Sequence, residues 1–198
     1  MVDGSSLLDL KAVEGEKSRI VNDSSDPVYE KRIYFSVFPS VIGNLLVAYT
    51  EHAIRMIDIS DDVDFLRDRI KSEFPNSEKV EIAGNSKLKK EIDAFISGED
   101  IKFNLEVKGT PFELDVWSAL LDVPYGQTVS YSEIAKRIGR PRAVRAVANA
   151  CAKNPIPLII PCHRIIRKSG GLGGYGPGIE KKIALLEVEG TYTPKILK

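Results

Sequence analysis

The rhythm of hydrophobic and polar positions changes near residue 110. From Tyr29 to Val107, short runs of branched and aromatic residues alternate with turn-forming clusters. The segments "KRIYFSVF", "GNLLVAYT", "AIRMIDI" and "IKFNLEV" predict strands. "DDVDFLRDRIKSEF" places apolar residues at 63, 66, 70 and 74, a helical spacing, with acids at its start. "NSKLKKEIDAFISG" predicts a second helix ending at Gly98. Together these make a small α/β domain over residues 28–107 with no visible chemistry of its own. Residues 1–27 are polar and broken by Gly4, Gly15, Asn22, Ser24, Ser25 and Pro27, which predicts a loosely held arm.

Residues 108–198 read as mostly helical. Thr110-Pro111-Phe112-Glu113 has an N-cap threonine, proline at the first helical position and glutamate at the third, so a helix should run to about Leu121. "DVPYGQT" is a loop. Ser130-Tyr131-Ser132-Glu133 repeats the capping pattern and opens a helix that Gly139 closes. "PRAVRAVANACAK" predicts the next helix, from Pro141 until Asn154-Pro155 ends it. Two short helices joined by Gly-Arg-Pro suit a helix-turn-helix, although such pairs are also plain packing units. The second helix is slim, with alanines at 143, 146, 148, 150 and 152, and Arg142 and Arg145 give it charge. Alanine is also simply the best helix former. A final helix spans about Ile179 to Glu189, with Ile183 and Leu186 inward. Glu187 and Glu189 fall in its last turn, where the helix dipole disfavours a carboxylate. Either they are exposed, or one is held there to orient another group.

Between these helices lies "PLIIPCHRII", an apolar run that predicts a strand interrupted at Pro161, since proline cannot donate to a ladder. The interruption should present Cys162 at a strand end. A cysteine reacts as its thiolate, and His163, Arg164, Arg167 and Lys168 are near enough in sequence to favour that form. Adjacent strand residues point to opposite faces, so a Cys162–His163 contact needs irregular backbone or a bridging water. The alternative is a chance neighbour pair at the end of a buried strand. "SGGLGGYGPG" follows, with six glycines among ten residues: a flexible connector, or a loop whose amides can approach a ligand. The GxxxxGK[ST] phosphate loop is absent from the sequence.

Composition narrows the class. The 198 residues, 43% hydrophobic and 28% charged, suit one large or two small globular domains. Apolar runs fall short of a bilayer span, and the N-terminus lacks a secretory signal pattern. We expect a protein without membrane association, in the cytoplasm, or in the nucleus if the source is eukaryotic. Two cysteines, at 151 and 162, and no CxxC or HxxxH spacing favour free thiols and no structural zinc. Net charge is zero but uneven. Residues 130–170 hold nine Lys/Arg against the single acid Glu133, and the remainder holds 19 basic and 27 acidic residues. That stretch is either a polyanion footprint or a solvated helix face.

With these motifs assembled, the chain resembles the O6-alkylguanine-DNA alkyltransferases, the methylated-DNA–protein-cysteine methyltransferases. The stretches "GTPFELDVW", "VPYGQTVSYSEIA", "PRAVRAVANA", "NPIPLIIPCHRII", "GGLGGYGPG" and "KKIALLEVE" carry the resemblance, in family order and spacing. It implies an RNase H-like α/β domain followed by a winged helix-turn-helix-like domain. It further implies that Cys162 is the nucleophile and His163 the general base through a water. Glu189 would orient the imidazole, and Asn154 would join the helix-turn-helix to the active-site loop. Tyr131 would help rotate the phosphate and touch the flipped base, and Tyr175 would pack on it. The Gly176 amide and Ile165 carbonyl would read guanine edges, with Lys182 beside the pocket. Arg145 would fill the gap left by the extruded nucleotide, in the minor groove, with Arg140, Arg142, Ser132 and Lys168 among the DNA contacts.

The implied activity is removal of the alkyl group from O6-methylguanine in duplex DNA to the protein's own cysteine, once per molecule, by a monomer without cofactor or metal. O4-methylthymine is a second candidate substrate. Two other classes stay open on the residues alone. A Cys-His-Glu hydrolase would turn over and would need an oxyanion hole. A non-catalytic damage-binding module would use the helix pair but leave "PCHR" unexplained.

Overall fold

The computed structural model describes residues 19–22 and 32–192, which divide into two compact units, the second beginning essentially at Thr110. In the first unit a six-stranded mixed sheet has the order β1-β6-β4-β3-β2-β5. Its centre is an antiparallel meander of β2 (Arg32–Ser40), β3 (Gly43–Tyr49) and β4 (Ile54–Ser60). Three four-residue strands flank it, all in parallel pairings. These are β1 (Arg19–Asn22), β5 (Glu78–Glu81) and β6 (Asn104–Val107). The central strands are buried on both faces. Ile33, Phe35, Leu46, Ala48 and Met56 form a core with Leu66, Ile70 and Phe74 from helix α1 (Val63–Glu73) and its end. Asp62 caps that helix by accepting from the Asp64 and Phe65 amides, as its acid-rich start predicts. On the opposite face, the Tyr49 hydroxyl meets Asn85, which accepts from the Leu88 amide at the start of α2 (Ser86–Ile96).

Two short strands escape the periodicity argument. "EKVE" of β5 is mainly polar and becomes a strand by pairing with β2. β1 falls within the expected arm, yet it pairs with β6 from Arg19↔Asn104 to Asn22↔Val107. The rest of that arm lies outside the described residues.

In the second unit, α3 (Pro111–Leu121), α4 (Tyr131–Arg137) and α5 (Val144–Ala152) pack on one another. The Trp117 indole donates to the Ala150 carbonyl at 2.9 Å. The capping box at Thr110 forms in full, and Lys153 reaches Glu113 at 2.8 Å. At Ser130 only half of the pattern forms. Its hydroxyl accepts from the Glu133 amide, while the Glu133 carboxylate lies 3.6 Å from Arg137. Helix α5 begins at Val144 rather than Pro141, because residues 141–143 are used in the turn that follows α4. A two-stranded parallel pair, β7 (Val129–Ser130) and β8 (Ile165–Ile166), holds the loop before α4 against the reactive segment. Helix α6 (Ile179–Val188) closes the unit, burying Lys182, Leu185 and Leu186, with Ile183 only partly covered. Among the described residues, no helix is long and apolar enough to cross a membrane.

Candidate active site

The segment predicted as a strand is mostly not one. Prolines at 155, 157 and 161 break any ladder. Only Ile165 and Ile166 pair in β8, and residues 155–160 form a buried turn. In this turn Leu158 takes φ +85, a left-handed conformation that costs a branched side chain about 1–3 kcal/mol. Pro161, at φ −82 and ψ 61, makes an inverse γ-turn in which the Cys162 amide donates to the Ile160 carbonyl at 2.8 Å. Cys162, His163 and Arg164 then form one turn of 3-10 helix. The irregular backbone that a Cys-His contact requires is therefore present.

Asn154, just past α5, serves three partners in this turn. Its Oδ1 accepts from the Ile156 amide at 3.0 Å, and its Nδ2 is 2.8 Å from the Ile160 carbonyl and 3.1 Å from Cys162 Sγ. One amide side chain thus ties the end of α5 to the sulfur.

Cys162 is 6% exposed rather than presented at an open strand end. Burial pushes its thiol up to about 11, against weaker opposing pulls from Asn154 and Lys182. The expectation of a lowered thiol pKa is overturned for the protein alone, and so is the role given to Arg164 beside the sulfur. Arg164 turns instead to Glu189. Its Nε lies 3.1 and 3.0 Å from the two carboxylate oxygens, and its Nη2 is 3.0 Å from Oε1. Nη1 donates to the Val123 carbonyl at 2.7 Å, and the guanidinium sits over the Tyr125 ring.

His163 is fully buried. Its Nε2 is 2.7 Å from Glu189 Oε1, so the proton belongs on Nε2 and the lone pair on Nδ1. Nδ1 is buried and, among the described residues, has no hydrogen-bond partner. Burial holds the imidazole below its usual pKa, Glu189 opposes this, and Arg164 and Lys182 reinforce it. Burial alone would raise Glu189, but the hydrogen bonds from His163 and Arg164 outweigh it and hold the carboxyl below its ordinary value. Of the two glutamates at the end of α6, Glu187 is exposed and Glu189 is the one held.

The remaining expected residues divide by position. Lys182 is fully buried, and its ammonium donates to the Ile165 and Leu172 carbonyls, pinning the glycine-rich loop to β8. Desolvation lowers it to about 8. The Ile165 carbonyl is thus already engaged by one donor. Tyr131 is half-buried; burial raises its phenol, with further contributions from the Cys151 and Cys162 thiols. A Cβ on Gly173, whose φ is +72, would sit 2.8 Å from the Tyr131 hydroxyl. Tyr175 meets the His163 ring edge-on at 6.2 Å. Gly176 is exposed, with open space where a Cβ would project.

Ser132, whose hydroxyl is 2.8 Å from that of Ser130, lies at the start of α4. Arg142, Arg145 and Lys168 are exposed, and so is Arg140, which also reaches Asp115 at 3.4 Å and lies over the Phe112 ring. Arg140, Pro141, Arg142 and Ala143 line an open hollow of about 520 Å³ between α4 and α5. Among the described residues, no group of three or more His, Cys, Asp or Glu is placed to hold a metal.

Comparison with known proteins decides the family. Residues 33–108 match the family model described as the ribonuclease-like domain of 6-O-methylguanine DNA methyltransferase, and residues 111–191 match its DNA-binding domain. The chain belongs to the methylated-DNA–protein-cysteine methyltransferase family. A methylated-DNA–protein-cysteine methyltransferase of Methanosarcina acetivorans is 38% identical over 161 residues, 80% of this chain and 99% of the relative. The Mycobacterium tuberculosis family member OGT, solved in complex with DNA, is 37% identical with a TM-score of 0.67, covering 79% of this chain and 92% of that one. The O6-methylguanine-DNA methyltransferase of Pyrococcus kodakaraensis superposes with a TM-score of 0.61 at 26% identity, covering 80% and 99%. Within this methyltransferase frame, Arg164 is the buried residue whose partner sequence reasoning missed.

Proposed function

We propose that this DNA repair methyltransferase extrudes O6-methylguanine from duplex DNA and moves the methyl group irreversibly to Cys162, once per molecule. The observation that carries the reading is a buried cysteine beside a buried histidine, the latter anchored through Nε2 to Glu189 and left with an unpartnered Nδ1. A methyl on guanine O6 lies inside the base stack, so the nucleotide must leave it, at a cost of about a few kcal/mol. Phosphate contacts from the exposed arginines Arg140, Arg142 and Arg145, with Lys168 and Ser132, offset that cost in a salt-dependent way.

A thiol near 11 is a weak nucleophile at neutral pH, so the proton must be removed as the base arrives. His163 takes it on Nδ1 through an intervening water, and Glu189 and Lys182 stabilise the resulting charges. The sulfur lone pair attacks the methyl carbon in line, the carbon–oxygen bond breaks, and the purine gains the proton that the sulfur has lost. Tyr131 and Tyr175 flank the extruded base, the Gly176 amide and Ile165 carbonyl read its edge, and Asn154 holds the sulfur on line. The thioether product has no leaving group, which makes the transfer stoichiometric.

Intact-mass measurement after mixing with an O6-methylguanine duplex tests the reading. One methyl per molecule, mapped to Cys162, is expected, and Cys162→Ala should bind the duplex without gaining mass. Repeated release of product would instead assign a hydrolase, and binding with no adduct a damage-recognition module.

A further inference from the structure

His163 shares its carboxylate. Glu189 receives the imidazole on Oε1 and the forked guanidinium of Arg164 on both oxygens, all three side chains being buried. The groups facing the imidazole are Arg164 on its own turn, Lys182 of α6, Glu189 at the end of that helix, and the Tyr175 ring from the glycine-rich loop. A buried histidine paired with a carboxylate alone is drawn towards imidazolium, because the ion pair rewards the second proton. An imidazolium has no lone pair for the thiol's proton. A second cation on the same carboxylate removes that reward, and arginine stays charged at all relevant pH values.

We propose that Arg164 is a positioning residue that, by occupying Glu189 in a forked ion pair, adds to the burial of His163 in keeping its imidazole neutral and ready to accept the Cys162 proton. Its fourth contact supports this role. Nη1 is fixed on the Val123 carbonyl, so the guanidinium cannot follow the carboxylate if Glu189 moves towards the imidazole. Glu189 then orients the ring without protonating it. The inference rests on the alkyl-transfer reading above for its consequence, but its physical content is the protonation state of one ring.

The chain has two histidines, so substituting His52 assigns the His163 resonances. Imidazole nitrogen resonances followed through a pH titration should show His163 of the unaltered protein remaining neutral well below the ordinary imidazole range. Arg164→Gln should raise the His163 midpoint by about one pH unit. The acid limb of the single-turnover methyl-transfer rate should move upward by the same amount. Arg164→Lys keeps the charge without the fork and should restore most of the original profile.

Two results would overturn the proposal. One is a slower Arg164→Gln protein with an unmoved limb and an unmoved His163 resonance, which marks a purely structural ion pair. The other is His163 of the unaltered protein titrating above the ordinary imidazole range, a measurement that needs no variant to fold. Failure of the unaltered protein to accept a methyl group would strike the function reading alone, since the titration is read without DNA.

Discussion

Glu113 and Glu189 are both buried carboxylates at helix ends in the second unit, and the helix dipole treats them in opposite ways. Glu113 lies in the first turn of α3, where negative charge is favoured. The Thr110 amide and hydroxyl both donate to it, and it is 2.8 Å from Lys153. The Lys153 hydrogen bond, followed by that from the Thr110 amide, lowers its pKa to about 2. Glu189 caps the end of α6, where the dipole disfavours a charge, and its partners His163 and Arg164 are buried. Glu113 would hold its charge with its helix alone. Glu189 holds its charge only because a cation and an imidazole were brought across 25 and 26 residues of sequence to meet it. A carboxylate kept in an unfavourable place is the costlier arrangement, and this one holds the imidazole that follows Cys162 in sequence.

The sharpest way to break that contrast is to neutralise each glutamate as its amide. Glu189→Gln leaves Arg164 buried without an anion and should cost about 3–5 kcal/mol in denaturant unfolding. Any folded fraction should transfer the methyl group far more slowly, since the imidazole loses the anion that orients it and stabilises its protonated form. Equal losses for Glu189→Gln and Glu113→Gln would erase the distinction between a functional and a purely structural carboxylate.

The proposed base site at Tyr131 offers an intermediate test, on another part of the second unit. Gly173→Ala meets two penalties: a positive φ of +72, and a Cβ 2.8 Å from the Tyr131 hydroxyl. The backbone term costs about 1 kcal/mol or more. Tyr131 must also retreat from its place beside the thiols. Transfer from O6-methylguanine should slow by more than the stability loss explains, while binding to undamaged duplex, which the proposed function gives to the exposed arginines, stays near its original value. Matched losses in both would place Tyr131 outside the base pocket.

The contrast between the two glutamates also shows what could be read in advance. Glu113 was legible because its cap is local: threonine, proline and glutamate at fixed offsets are enough. The central strands β2, β3 and β4 were legible from their runs of branched and aromatic residues. β1 and β5 were not, because four residues such as "EKVE" become a strand only when a neighbour supplies the ladder. The "PLIIPCHRII" run misled for a related reason. Its hydrophobicity reports burial, which is correct, but burial does not specify a strand. The side chain of Asn154 satisfies backbone that a sheet would otherwise have paired. That asparagine and the three prolines were the available signal. The resemblance pointed to Cys162, His163, Glu189 and Asn154, while nothing local announced that Arg164 would turn away from the sulfur. Its partners Val123 and Glu189 lie 41 and 25 residues distant.

The smallest expected effect concerns acid stability, where the sign follows from Glu113's depressed pKa. A carboxyl at about 2 in the folded chain, against an ordinary value of 4.5, binds its proton more readily when unfolded. Its stabilising contribution is complete above pH 4.5 and is lost as pH falls through about 2. Glu113→Gln should therefore lower stability by about 1 kcal/mol at neutral pH, a typical helix-cap value. The difference from the unaltered protein should shrink over that acid window. Lys153 is largely exposed, so added salt should weaken the pair further. Glu189 is also held below its ordinary value, so its contribution fades with acid in the same direction. Its partners are buried, however, and salt should leave its share almost unchanged. Measuring both variants across pH at low and high salt separates a solvent-screened cap from an enclosed relay. If the two respond alike to salt, Glu189 is wetter than its burial implies and cannot be insulating a proton transfer at Cys162.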